Sequence, residues 1–353
     1  MNKWIREDLK GYEPYTMETK PFNIILDANE SPWGLPEVVR QNMMAWFAER
    51  ENLNRYPDSD SIELREELAK FWGVSLENVV CGVGSDQLIE YITKALLMPG
   101  DAVVTLTPSF SMYKLTTKLN HGRVEEFPLN ADYTLDADGL ISFAKAKNAK
   151  LVFICTPNNP TGTSVCEADL LKILDALDCP VVVDEAYMEF WENTLIPQMP
   201  AHENLIVLRT FSKAYGLAGA RIGYAVAQKE LADALHIVRA PYNVPTISQR
   251  LAIEVLRNID EYTKRIELLK AYRNDMFDKL SALDGINVFS SDANFLYIET
   301  EMNISNNLEK HSIRARVFQK GDKERIRLSC GTEAENAKAI AAICECATGR
   351  ESI

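Results

Sequence analysis

Basic charge is what this chain most plainly lacks. Its 353 residues carry 38 Lys and Arg against 51 Asp and Glu, a formal net charge of −13. Nucleic acid and anionic membranes both need a basic face, so neither is an expected partner. No basic helix-turn-helix segment precedes residue 40. No apolar run approaches the length of a membrane span, and Met1-Asn2-Lys3-Trp4 opens no signal-peptide core. Internal repeats, low-complexity tracts and polar linkers are missing too. The seven cysteines (81, 155, 166, 179, 330, 344 and 346) are odd in number and mostly embedded in apolar stretches. Cys344 and Cys346 flank one residue, too close for the usual zinc or redox spacing. Reduced thiols in a cytoplasmic enzyme, with no metal site, are the expectation.

What is present is ordinary for a globular protein: 46% hydrophobic and 25% charged residues, over a length suited to one large or two medium domains. Short apolar runs alternate with helical patterns. Val79–Cys81, Ala102–Leu106, Leu151–Cys155, Val181–Val183 and Leu205–Leu208 read as buried strands, and 86–97 as a helix. That alternation predicts an α/β fold with a mainly parallel sheet covered on both faces. A long helical pattern from about Ile247 to Leu280 follows. Asn287–Phe289, Phe295–Ile298 and Ile326–Ser329 then read as strands of a smaller α+β domain. Ligands on such sheets sit beyond the carboxyl ends of the strands, so the residues just after each strand carry the chemistry.

Four post-strand segments stand out. Cys81-Gly82-Val83-Gly84-Ser85-Asp86 ends a strand and opens a helix, where backbone amides can hold phosphate. It matches neither the dinucleotide fingerprint nor the P-loop, and Gly-rich turns of this kind are also common for steric reasons alone. Thr107-Pro108-Ser109-Phe110-Ser111-Met112-Tyr113 offers Phe110 as a cover for a flat cofactor ring, or simply as core. Thr156-Pro157-Asn158-Asn159-Pro160-Thr161-Gly162 reads as a polar turn, but its paired asparagines place an amide donor where it would hold a phenolate oxygen. One X-Pro bond there is expected to be cis. Val181-Val182-Val183-Asp184-Glu185-Ala186-Tyr187 ends a strand on carboxylates. Such carboxylates serve as metal ligands or bases, or keep a pyridine nitrogen protonated. Glu185 reads as structural.

The most informative stretch is Thr210-Phe211-Ser212-Lys213-Ala214-Tyr215-Gly216-Leu217-Ala218-Gly219-Ala220-Arg221. One lysine lies in a small-residue turn between hydroxyls and an arginine. A lysine amine attacks carbonyls when deprotonated, and as a Schiff base to pyridoxal phosphate it can pass a substrate amine through an imine. Thr210, Ser212 and Arg221 are donors that a phosphate would want. A surface lysine in a flexible loop is the plain alternative.

Together these segments resemble the fold-type I pyridoxal-phosphate aminotransferases, and among them the histidinol-phosphate aminotransferase family. The resemblance runs from about residue 12 to 335. It is supported by Leu26-Asp27-Ala28-Asn29-Glu30-Ser31-Pro32-Trp33-Gly34, Arg55-Tyr56-Pro57-Asp58, Ala240-Pro241-Tyr242, Ser291-Asp292-Ala293-Asn294-Phe295 and Ile326-Arg327-Leu328-Ser329. It implies an N-terminal arm over 1–38 that joins the small domain, a large pyridoxal-phosphate domain over 39–245, and a small C-terminal domain over 246–353 that starts with a long helix.

Carried over by position, the resemblance implies that Lys213 binds the cofactor covalently and shuttles the proton at the substrate α-carbon. Asp184 would pair with the pyridinium, Asn159 and Tyr187 would hold the ring oxygen, and Phe110 would cover the ring. Ser85, Asp86 (through backbone amides), Thr210, Ser212 and Arg221 would bind the cofactor phosphate. Tyr56 would reach that phosphate in the partner subunit of a homodimer. Tyr15, Asn29, Arg316 and Arg327 would serve the substrate. Arg314 and Arg316 equally suit a solvated strand face. Phe110 stands where the family often has tyrosine, and Ser31 where it usually has asparagine; both bear on substrate choice.

The implied reaction exchanges the amino group between histidinol phosphate with 2-oxoglutarate and imidazole-acetol phosphate with glutamate, in histidine biosynthesis. A threonine-phosphate decarboxylase and an aromatic or other amino-acid aminotransferase share the scaffold. Which α-carbon bond breaks depends on a geometry that motifs do not show. A cofactor-fold ligand sensor would carry a DNA-binding module, and no such segment is found.

Overall fold

The apolar runs fold into strands whose side chains alternate between two cores. The computed structural model describes residues 4–9, 21–49, 53–319 and 322–348. Seven strands form the larger sheet: β2 (Val79–Gly82), β3 (Ala102–Thr107), β4 (Arg123–Pro128), β5 (Ala149–Cys155), β6 (Val181–Asp184), β7 (Leu205–Thr210) and β8 (Gly223–Ala227). Their order is β2-β8-β7-β6-β5-β3-β4. β4, β3, β5, β6 and β7 run parallel, and β8 is antiparallel to both its neighbours. Along β5, Val152 and Ile154 enter one core while Leu151, Phe153 and Cys155 enter the other; β6 splits Val181 and Val183 from Val182. Both faces of the sheet are therefore covered, which is why these strands read as continuous apolar runs. The expected α/β class holds.

A second sheet has the order β1-β11-β12-β10-β9. It joins β1 (Ile24–Leu26) in parallel to β11 (Ile313–Gln319), and adds β12 (Glu324–Ser329), β10 (Phe295–Thr300) and β9 (Ile286–Phe289) antiparallel. This sheet thus takes one strand from near the N-terminus and four from the C-terminal part of the chain.

Two features depart from the sequence pattern. The helical run from 247 to 280 is two helices, Thr246–Arg257 and Ile259–Ser281. Asn258 leaves the helical region (φ −125°, ψ 34°), and its amide caps the first helix by donating to the Glu254 carbonyl at 2.9 Å. Apolar spacing continues across the break, so periodicity alone hides it. β4 carries no apolar alternation; it is an edge strand studded with Arg123, Glu125 and Glu126, charges that discourage pairing with another chain.

Candidate active site

The register of the parallel strands brings their ends side by side. Cys155 at the end of β5 and Leu208 on β7 are the cross-strand partners of Asp184 at the end of β6. The turns after β3 and β5 are tied together by Asn158. Its amide donates to the Pro108 carbonyl (3.0 Å) and to Thr161 Oγ1 (2.8 Å), while its oxygen accepts from Ser109 Oγ (2.8 Å). Thr107-Pro108, Thr156-Pro157 and Asn159-Pro160 are all cis. The expected cis bond in the asparagine turn is present twice over.

Lys213 lies just past β7. Its Nζ donates to the Ala28 carbonyl at 2.8 Å and sits 6.0 Å from the Tyr187 ring centroid. Desolvation, then the Arg327 charge, lower its pKa to about 8. A usable fraction of free amine therefore exists near neutral pH.

Asp184 is buried. Its Oδ2 accepts from the Tyr113 hydroxyl at 2.7 Å and its Oδ1 from the Ala186 amide at 3.1 Å. Burial raises its pKa to about 6, against the pull of the Tyr113 hydrogen bond. The adjacent Glu185 is fully buried but committed elsewhere. It is salt-bridged to Arg209 at 2.9 Å and accepts from Thr194 and the Leu195 amide. Arg209 also pairs with Glu189 at 2.7 Å and lies over the Trp72 ring.

An anion cradle lies at the end of β7 and the start of the helix Gly84–Leu96. Thr210 Oγ1 donates to Ser212 Oγ at 3.0 Å, and the Ser212 amide donates back to Thr210 Oγ1 at 3.1 Å. Arg221, in the left-handed region at φ 50°, reaches Ser212 Oγ at 3.5 Å and the Asp86 carboxylate at 3.0 Å. Gly84 has φ +74°, and a Cβ there would stand 2.6 Å from Arg221 Nη2; a Cβ on Gly223 would stand 2.7 Å from the Ser85 amide nitrogen. Both glycines keep open a pocket bounded by a helix N-terminus, two hydroxyls and a guanidinium, the donor set of a phosphate site. The residues therefore fit the phosphate end of pyridoxal phosphate. The buried Asp184 fits a protonated ring nitrogen.

Two further donors are oriented by their partners. Arg327 has no acceptor atoms, so Asn159, which it contacts through Nη1, must turn its oxygen toward the guanidinium and keep its NH2 for another acceptor. Arg327 also donates to the Asp27 carbonyl through Nη2. Tyr187 accepts from Asn29 Nδ2 at 2.9 Å, and Asn29 Oδ1 accepts from Ser329 Oγ at 3.0 Å. The phenol of Tyr187, whose pKa burial pushes up, keeps its own proton to give. Asn29 itself takes φ 54° and is anchored by the Asn294 amide at its carbonyl (3.1 Å).

Arg314 and Arg316 separate cleanly. Arg314 Nε is salt-bridged to Asp27 at 2.8 Å. Arg316 is the direct cross-strand partner of Arg327, and both guanidiniums lie over Phe318, at 6.0 and 5.7 Å. Phe110 meets Tyr113 edge-on at 5.6 Å. Tyr56 is 79% exposed and stacks on Tyr242 at 4.5 Å. Tyr15 lies outside the described residues. Sequence reasoning missed Tyr113 as a partner of Asp184. It also missed the Asp27 and Ala28 carbonyls, which as backbone acceptors leave no trace in residue type.

Comparison with known proteins bears on the same site. The family model for aminotransferase class I and II matches residues 23–343. A histidinol-phosphate aminotransferase from Ruminiclostridium cellulolyticum is 39% identical over 340 residues, covering 94% of this chain and 95% of that protein. The crystal structure of histidinol-phosphate aminotransferase from Sinorhizobium meliloti, in complex with pyridoxal-5'-phosphate, superposes with a TM-score of 0.85 at 27% identity, covering 94% of this chain and 92% of that one. The L-threonine-O-3-phosphate decarboxylase of Porphyromonas gingivalis shares the fold alone, with a TM-score of 0.78 at 24% identity over 91% of this chain and 98% of that one.

Proposed function

We propose, because the chain belongs to the class I and II aminotransferase family, that it is a pyridoxal-phosphate enzyme moving an amino group between histidinol phosphate and 2-oxoglutarate. One observation carries the reaction type. A single desolvated amine, Lys213, lies within the electrostatic reach of the Arg221–Asp86 pair on the cofactor-phosphate side and of Arg327 on the other. The relatives carry the substrate.

Thr210, Ser212, Arg221 and the amides of Ser85 and Asp86 would hold the cofactor phosphate. Asn159 and Tyr187 would donate to the ring oxygen, Phe110 would cover the ring, and Asp184 would face the ring nitrogen. When bound, the cofactor supplies an electron sink for the pair released at the substrate α-carbon. Asp184 strengthens that sink by holding a proton on the ring nitrogen. Lys213 Nζ would take the α-carbon proton and return it one atom away. Arg327 and Arg316 would bind the far end of the substrate. Histidinol phosphate presents a phosphate there and glutamate a carboxylate. Planar guanidiniums accept either in bidentate fashion, which lysine does less well. Asn29 would orient Tyr187 beside them.

The same proposal includes a homodimer in which the exposed Tyr56 serves the partner's phosphate site. It includes a cytoplasmic setting, consistent with seven free thiols, and the division into 1–38, 39–245 and 246–353. The test is an absorbance scan of the cofactor-loaded protein, with histidinol phosphate and glutamate added separately. Loss of the visible band with each, reversed by 2-oxoglutarate, supports the reading. A response to glutamate alone would discard histidinol phosphate. Carbon dioxide release from threonine phosphate without an oxo-acid would favour the decarboxylase.

A further inference from the structure

We propose that Tyr113 is a positioning residue that aims the Asp184 carboxylate at the cofactor's ring nitrogen and acts only through that carboxylate. The inference rests on the reading that Asp184 faces pyridoxal phosphate. Tyr113 is fully buried, so it touches neither solvent nor substrate. Its ring is fixed on two sides. Phe153 stacks on it at 4.7 Å and 9°, and Phe110 meets it edge-on at 5.6 Å and 84°. With the ring immobile, the hydroxyl stands 2.7 Å from Asp184 Oδ2.

A phenol brings one proton, and Asp184 is its hydrogen-bond acceptor here. The Ala186 amide occupies the other carboxylate oxygen. Each oxygen thus has one protein donor, which fixes the plane of the carboxylate and leaves further lone pairs for a ligand. Two of the other ionisable neighbours work the other way. Asp86 and Glu185 raise the acid, Cys155 is a buried thiol, and Tyr187 is a buried phenol. Tyr113 is therefore the side-chain donor that keeps this carboxylate ionised in a desolvated site. Phe110, the residue placed to cover the cofactor ring, is the same residue that braces Tyr113 edge-on. The short segment from Phe110 to Tyr113, at the start of the helix Met112–Leu119, thereby sets both the stacking surface and the ring-nitrogen partner.

The rival is a core tyrosine whose hydroxyl merely finds a convenient acceptor. Tyr113→Phe keeps the stack and removes only the hydroxyl. Pyridoxal-phosphate affinity is measured on the apo protein from about pH 5 to 9, in four backgrounds: unchanged, Tyr113→Phe, Asp184→Asn and the double variant. The expected result is an affinity about tenfold weaker for Tyr113→Phe near pH 8, the scale of one hydrogen bond to a charged group. The acid limb of its affinity profile moves up by about one pH unit. In the Asp184→Asn background the same change has less than about a twofold effect. Equal losses in both backgrounds, or an unchanged profile for Tyr113→Phe, overturn the inference while leaving the cofactor reading intact. Failure of the unchanged protein to bind pyridoxal phosphate overturns both.

Discussion

Lys213 Nζ donates to the carbonyl oxygen of Ala28, 2.8 Å away across 185 positions of sequence. The flanking residues of that segment are engaged as well: the Asp27 carbonyl by Arg327, the Asp27 carboxylate by Arg314, and the Asn29 side chain by Tyr187. Three consecutive residues after β1 thus touch Lys213, Arg327, Arg314 and Tyr187. A backbone acceptor holds the amine by its dipole without adding a charge that would raise its pKa. Desolvation is left as the dominant influence.

The amine's titration sets a pH dependence. Lys213 has its pKa lowered to about 8, so below that value the free amine is the minor form. Covalent capture of pyridoxal phosphate by the apo protein should quicken about tenfold from about pH 6 to 7 and level off above about 8. Stopped-flow absorbance checks this. A rate flat across that range would contradict a depressed amine.

Lys213→Ala should abolish amino transfer while leaving some non-covalent cofactor binding through the cradle. Mass spectrometry after borohydride reduction should show no adduct on the variant and one on the unchanged chain. Turnover at the normal rate would exclude the role assigned to this residue.

Asp184 carries a stability cost. Its folded-state pKa is raised to about 6 from 3.8, so the native state holds a proton that the unfolded chain has released between those values. Apo stability therefore falls as pH rises from about 4 to 6, by up to about 3 kcal/mol. Asp184→Asn removes that titration. Its apo form should gain on the unchanged protein across that window and hold the gain above it, less the cost of facing the Ala186 amide with an NH2. Urea melts at several pH values measure this. The same variant should lose cofactor affinity.

Arg327→Ala should lower kcat/KM by roughly a hundredfold or more, the scale of two lost hydrogen bonds to a charged group, while the bound cofactor's spectrum stays nearly unchanged. Steady-state kinetics with histidinol phosphate and with glutamate separate the two substrates. Loss of the cofactor itself would show that Arg327 acts through Asn159 instead.

Gly84→Ala meets two penalties at once: a left-handed φ of +74° and a Cβ 2.6 Å from Arg221 Nη2. Cofactor affinity should fall about 5- to 30-fold if the strain of about 1–2 kcal/mol is felt at the cradle. An equilibrium titration would reveal a loose cradle if it does not.

Much of this was legible in residue order. The strands that carry Asp184 and Thr210 are apolar on both faces and end in polar residues, which is how a buried parallel strand must read when its tip lines a site. Lys213 announced itself by the hydroxyls before it and the arginine after it. Tyr113 did not, because a tyrosine three residues past Phe110 looks like any core aromatic. Only the fold shows that the first turn of the helix Met112–Leu119 brings Tyr113 to Asp184 at the tip of β6. The choice between Arg314 and Arg316 was equally invisible. Two positions apart on one strand, they share a face, and only the partner strand and the Asp27 salt bridge show that Arg316 stands opposite Arg327 while Arg314 is paired with Asp27. Asn258 breaks a helix whose apolar spacing carries on unbroken, since the interruption is one of backbone angle.

The pairing of β1 with β11 bears on the order in which the enzyme is made. Ile24 leaves the ribosome 289 residues before its register partner Ile313. At about 5–20 residues per second, that is a wait of about 15–60 s. During it the larger sheet, with Asp184 and Lys213 at the carboxyl ends of its strands, can already have formed. The segment carrying Asp27, Ala28 and Asn29, which follows β1, can gain its strand partner only late in synthesis. A nascent chain can thus hold the strand ends of the larger sheet before the segment after β1 has a strand to pair with.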